Sequence, residues 1–117
     1  MKIKILGRVK TPPKEVCRME DEVRFEMFIS VETQLSGEKI KEKEITVSAS
    51  RDKWSYNKKE FDRLKNGNRV CVEGYYNKNR VISAFRCTKL TVRGYENLQA
   101  MYALRLDDSD DNSQMEV

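Results

Sequence analysis

From Val23 to Val31 the chain alternates residue by residue. Val23, Phe25, Met27, Ile29 and Val31 fall on one side of an extended segment, and Arg24, Glu26, Phe28 and Ser30 on the other. A period of two sets apart the two faces of a β-strand, so this segment must lie in a sheet with one side on a core. The pattern recurs. Residues 44–50 put Ile45, Val47 and Ala49 inward. Arg69 to Tyr76 puts Val70 and Val72 on one face, with Cys71 and Glu73 on the other. Residues 2–9 form a first strand with Ile3, Ile5 and Val9 on one face, and Gly7 allows a bend or bulge. Residues 80–92 read as a last long strand.

The punctuation between these segments sets their order. Thr11-Pro12-Pro13 is expected to break the first strand, Ser36-Gly37-Glu38 to turn, and Asn77-Lys78-Asn79 to close a hairpin. The helix expected lies at about residues 57–65. Asn57 caps it, Phe61 and Leu64 stand one turn apart, and Asn66-Gly67 ends it in a left-handed cap. Three strands, a helix and two strands predict an all-β chain of small α content. That order is the five-stranded OB barrel with its helix between strands 3 and 4.

Residues 1–92 are thus expected to form the barrel domain. Residues 93–106 follow as a short helical or linker segment, in which Leu98, Met101, Tyr102 and Leu106 have rough helical spacing. Residues 107–117 have no apolar pattern and read as a disordered acidic tail.

Charge separates these parts. The tail takes five of the 19 acids (Asp107, Asp108, Asp110, Asp111, Glu116) and none of the 23 bases, so residues 1–106 carry a net charge of +9. A basic body with an acidic end suits a domain that binds polyanions. There is no histidine, which removes the commonest general base and every Ser-His or Cys-His pair. Cys17, Cys71 and Cys87 have no C-x-x-C spacing. No metal site, cofactor or enzymatic activity is therefore expected, and Cys71 and Cys87 are read as buried free thiols. No apolar run is long enough to span a bilayer, and Met1 to Gly7 alternates where a signal peptide would be continuously apolar. A cytoplasmic, nucleoid-associated location is expected.

The segment Leu64-Lys65-Asn66-Gly67-Asn68-Arg69-Val70-Cys71-Val72-Glu73-Gly74 resembles the helix end and fourth strand of bacterial single-stranded DNA-binding proteins. Ile5-Leu6-Gly7-Arg8-Val9 looks like that family's first strand, residues 24–31 like its second, and Ile45-Thr46-Val47-Ser48-Ala49 like its third. The resemblance implies an OB fold, sequence-tolerant single-strand binding and a homo-tetramer or homo-dimer. It also implies a tail that docks onto replication or repair proteins. Asp107, Asp108, Asp110 and Asp111 with the terminal Met115-Glu116-Val117 are similar in kind, but the family's usual Pro-Phe tip is missing. The family's stacking places on the third strand are held here by Glu44 and Ser50.

Single-strand binding needs cations for phosphates and flat apolar surfaces for bases. Phe28, on the polar face of its strand beside Arg24, is either a base platform or an oligomer contact. Arg51, Lys53, Trp54 and Tyr56 gather cations and aromatics before the expected helix, although Trp54 could equally cover the barrel end beside Phe61. With Val70 and Val72 inward, Tyr76 shares their phase, and Tyr75 faces out near Lys78 and Arg80. Arg86 is a further phosphate candidate, whereas Phe85 and Tyr95 are assigned to core or interface. The leading expectation is a non-catalytic binder of single-stranded DNA, serving replication, recombination or repair, with RNA left open. The alternative is a protein–protein adaptor resembling the primosomal OB proteins, with weak single-strand binding.

Overall fold

The computed structural model describes residues 1–19, 22–50, 63–77 and 79–101. Five strands appear in it: β1 (Lys2–Met19), β2 (Glu22–Ser36), β3 (Glu44–Ser50), β4 (Arg69–Tyr76) and β5 (Val81–Leu90). They close into a barrel in the order β1-β2-β3-β5-β4, with β1 returning to β4. All neighbours run antiparallel except β3 and β5, which pair in parallel through Thr46–Val81, Val47–Ile82 and Ser48–Ser83. Along Lys4–Arg8, β1 is paired on both edges, to β2 and to β4.

The alternation read from the sequence fills the barrel. Ile3, Ile5, Val9, Met27, Ile29, Ile45, Val47, Ala49, Val70, Val72, Ile82, Ala84 and Cys87 form one buried cluster, and Leu64 joins it from the segment before β4. Tyr76 packs against this cluster while Tyr75 points out, as their phases require. A register shift falls between Leu6 and Gly7. The backbone there comes so close to β2 that a Cβ on Gly7 would sit 2.4 Å from the Ser30 carbonyl oxygen.

Two expectations are corrected. Among the described residues the helix is α1 (residues 92–101), which follows β5 instead of standing between β3 and β4. Of the segment expected to be helical, residues 63–65 are turn and coil, and residues 57–62 lie outside the described residues. Gly67 does take a left-handed conformation (φ 88°), but it serves a turn whose amide donates to the Val9 carbonyl. Turn chemistry and helix-ending chemistry use the same Asn-Gly pair, and two apolar residues one turn apart could not tell them apart. Nor does Thr11-Pro12-Pro13 end β1, which runs on to Met19. Pro12 and Pro13 sit where the β1–β2 register shifts, between Thr11 and Lys14, so neither is asked to donate a ladder hydrogen bond.

α1 begins at a Thr91 cap, whose hydroxyl oxygen accepts the Gly94 amide at 3.1 Å. It lies on the outside of the barrel. Tyr95 packs with Leu6 and Cys71, and Leu35, Leu90 and Leu98 border them. This second cluster explains why Leu6 and Cys71, out of phase with the barrel interior, are nonetheless buried. Cys71 and Cys87 are both free thiols. Burial pushes the Cys71 thiol up to about 11. No helix among the described residues is long and apolar enough to cross a membrane.

Candidate nucleic-acid interface

With α1 over the outer face of β1 and β4 near Leu6 and Cys71, two other stretches of the outer surface carry exposed aromatics. On β2, Phe28 is 47% exposed between Thr11 of β1 and Thr46 of β3. Four residues earlier, the Arg24 guanidinium donates to the Ser48 hydroxyl at 3.1 Å, so it braces the β2–β3 face. Ser48 and Ser50 are buried. The outer face of β3 is therefore open at Glu44 and Thr46, its first residues.

The second stretch lies on β4 and β5. Tyr75 is 56% and Phe85 36% exposed. Their ring centroids are 5.8 Å apart with planes inclined at 54°, within the range of favourable tilted pairs. Lys2 Nζ stands 5.3 Å from the Phe85 centroid, close enough for a cation–π contact. Beside them Glu73 takes Lys4 at 3.4 Å and Arg86 at 3.5 Å. Two cations thus share one carboxylate, and with Lys2 the patch is net positive.

The sequence assigns Phe85 to core or interface, and its exposure removes the core reading. The cause is a bulge. Glu73 pairs with Arg86 but the next residue, Gly74, pairs with Ala84. Phe85 is the extra residue, so it and Arg86 both face outward. An alternation count across β5 places them on opposite sides; only the unbroken run Val81–Ala84 reads correctly. Tyr95, by contrast, is buried beneath α1, with Arg69 over its ring. Burial, then the neighbouring Glu32 carboxylate, pushes its phenol up to about 12. Lys2 carried no sequence signal beyond its charge.

Arg80 adopts a left-handed backbone (φ 62°) in the β4–β5 hairpin and pairs with Glu42 at 3.8 Å. Asn77 shapes that hairpin, its side-chain oxygen accepting the amides of Asn79 and Val81. At the two places where the resemblance expects stacking rings, Glu44 is engaged by Lys10 and Ser50 is buried. Arg51, Lys53, Trp54, Tyr56 and Lys78 lie outside the described residues, as do the tail residues Asp107, Asp108, Asp110, Asp111, Met115 and Val117. Of the described candidates, the structure does not place Phe28 and Tyr75 side by side. The pairings Phe28–Thr46–Val81 and Ser83–Tyr75 put three strand spacings of about 4.8 Å between them.

No family model matches the chain, and no curated protein matches it in sequence. Solved structures do match in shape. The chain is similar to the small single-stranded DNA-binding protein from Streptomyces coelicolor, with TM-score 0.58, 21% identity, and 80% of this chain and 96% of that one covered. It is also similar to the N-terminal domain of PriB from Thermoanaerobacter tencongensis, a dimeric structure (0.55, 20%, 77% and 96%). A third match is the yeast Stn1 and Ten1 structure (0.63, 12%, 92% and 52%). The chain has the OB fold. In such barrels the β2–β3 face and the loops beside it are the usual binding surface for oligonucleotides and oligosaccharides. Here that face carries Phe28, while the Tyr75–Phe85 pair lies beyond it.

Proposed function

We propose that this chain binds single-stranded DNA without strong sequence preference and catalyses no reaction. The observation that carries the reading is the exposed Tyr75–Phe85 pair, with Lys2 over one ring, in a net positive patch of an OB barrel. Every base has a π-face, so exposed rings flanked by cations bind a single strand regardless of sequence. Phe28, Arg80 and Arg86 belong to the same reading as a second stacking surface and as phosphate contacts. The matched Streptomyces protein, described as binding single-stranded DNA, supports it. In the cell the protein would protect or present single strands during replication, recombination or repair. It would act as a homo-oligomer, and its acidic tail would engage a replication or repair protein.

Titration of the full chain with oligo-dT, followed by tryptophan and tyrosine fluorescence at rising salt, tests this. Binding should weaken with salt at a log–log slope of about −0.7 per phosphate neutralised. Absence of binding at low salt would overturn it.

A second reading is an OB protein–protein adaptor with weak single-strand binding. It is favoured by Glu44 being tied to Lys10 and Ser50 being buried, where the resemblance expects stacking rings. An adaptor would keep its protein partner in a Phe28→Ala, Tyr75→Ala variant and lose it on truncation after Leu106.

A further inference from the structure

Between β2 and β3 the chain reads Gly37-Glu38-Lys39-Ile40-Lys41-Glu42-Lys43. Its alternate residues are sorted by burial. Ile40 packs against the barrel core, and Glu42 is half-buried, accepting the Tyr76 hydroxyl and pairing with Arg80. Lys39, Lys41 and Lys43 are exposed on the other side. Alternate residues thus put three ammonium-bearing side chains in a row along the exposed side of the loop.

The loop is fixed in place at each end and in the middle. The Gln34 side-chain amide donates to the carbonyls of Ser36 and Glu38, and its oxygen accepts the Ile40 amide. Gly37 has φ 97° and lies against β1, where a Cβ would stand 2.5 Å from the Lys2 carbonyl oxygen. At the far end the Lys43 carbonyl accepts the Val31 amide. The three lysines, with Ile40 and Glu42 of the same loop, line a groove of about 710 Å³ together with Val31 to Gln34 of β2 and Gln99 of α1.

The charge of the row is uncompensated within the described residues. Of the nearby acids, Glu32 pairs with Arg8, Glu42 with Arg80 and Glu44 with Lys10. Only Glu38 remains against three lysines that make no ion pair with a described residue. The loop also joins the two aromatic surfaces. Gly37 abuts Lys2, whose ammonium caps Phe85, and Glu44 leads into Thr46 beside Phe28.

We propose that the β2–β3 loop is a preformed phosphate track, in which Lys39, Lys41 and Lys43 hold the backbone of a single strand as it passes around the barrel end between the two aromatic surfaces. The proposal rests on the single-strand reading and specifies the path. A row of cations on a loop already anchored neutralises phosphates without that loop having first to be ordered.

The test compares oligo-dT binding of the full chain with that of a K39Q/K41Q/K43Q variant and a control, K65Q/K89Q/R93Q, which removes three exposed charges elsewhere. Thermal melts confirm that all three fold. The track variant should bind more weakly, with its salt slope shallower by about 2, while the control keeps the wild-type slope. Equal slopes for wild type and track variant would overturn the track and leave single-strand binding standing. So would equal losses in both variants, which would reduce the effect to net charge. If the wild type fails to bind at low salt, both the track and the single-strand reading fall.

Discussion

The Phe85 ring rests 5.8 Å from that of Tyr75 because one residue is inserted between Arg86 and Ala84 on β5. Without that insertion, Phe85 and Arg86 would alternate and one of them would enter the barrel. The bulge therefore sets an aromatic platform and a guanidinium side by side on the outside, a local rearrangement of the kind bulges produce next to binding sites.

If the pair stacks a base, Tyr75→Ala and Phe85→Ala should each weaken oligo-dT binding by about 1–3 kcal/mol. The rings touch, so the double variant should lose less than the two single losses combined. The salt slope should stay unchanged, because no phosphate contact is removed. Fluorescence titration of the four proteins at two salt concentrations reads both quantities.

Gln34 holds the lysine loop in shape through its side-chain amide. Gln34→Ala removes the three hydrogen bonds that hold residues 36–40. The lysines remain, so the salt slope should persist while affinity falls several-fold, since the loop must then be ordered on binding. Gln34→Glu should restore the acceptor for the Ile40 amide but not the two donations, and recover only part of the loss.

How far the sequence led can be judged from particular strands. β3 and β4 were legible to the residue, because the inward alternation of Ile45, Val47 and Ala49 and of Val70 and Val72 is broken by no bulge. β1 was not, because its prolines fall at register shifts that depend on β2. Phe85 escaped for the same reason: a bulge is a property of a strand pair. α1 was only half legible. Its Leu98 spacing was visible, but Tyr95 makes sense as a core residue only once Leu6 and Cys71 are known to share one outer face. The expected helix at 57–65 drew on an Asn-Gly signal that belongs equally to turns. As for the candidate site, Tyr75 and Phe28 were found by phase, whereas Lys2, Phe85 and the lysine loop needed the barrel to be closed.

Tyr95 should give the protein an alkaline limit. Its hydroxyl is buried without a hydrogen-bond partner of good geometry among the described residues, and its phenol is pushed up to about 12. The folded state thus holds this proton more tightly than the unfolded chain, where tyrosine titrates near about 10. The contribution is complete below about pH 10 and is lost as pH rises through about 12. Tyr95→Phe should flatten that limb and, because the hydroxyl it removes is buried beside the Glu32 carboxylate without a well-formed hydrogen bond, leave stability at pH 7 unchanged or raised by about 1 kcal/mol. Denaturant melts at pH 7 and between pH 9 and 12 measure both effects.

Glu42 sets the opposite limb. The Tyr76 hydroxyl bond, with Arg80 contributing, holds its carboxyl below the usual glutamate range. A lowered folded value means the stabilisation is present above the unfolded pKa and is lost as pH falls through the folded one. Glu42→Gln should make the loop's stability insensitive to acid in that window. Proton–deuteron exchange of the Lys39–Lys43 amides at pH 3 and pH 6 would show the wild type opening on acidification and the variant open to the same degree at both.

α1 covers Cys71 through Tyr95 and Leu98, so the thiol reports whether the helix is seated. In a Cys17→Ser, Cys87→Ala background, Cys71 should resist iodoacetamide at pH 7 for two reasons. It is buried under Tyr95 and Leu98, and its pKa of about 11 leaves almost no thiolate. Leu98→Ala removes part of the cover, and Thr91→Ala removes the helix cap at a cost of about 1 kcal/mol. Both should speed alkylation while the barrel's global melt shifts little, because local opening of a peripheral helix needs less free energy than unfolding the sheet. Equal acceleration by a barrel-core variant such as Ile29→Val, with no excess for the helix variants, would mean that α1 opens only when the whole barrel does.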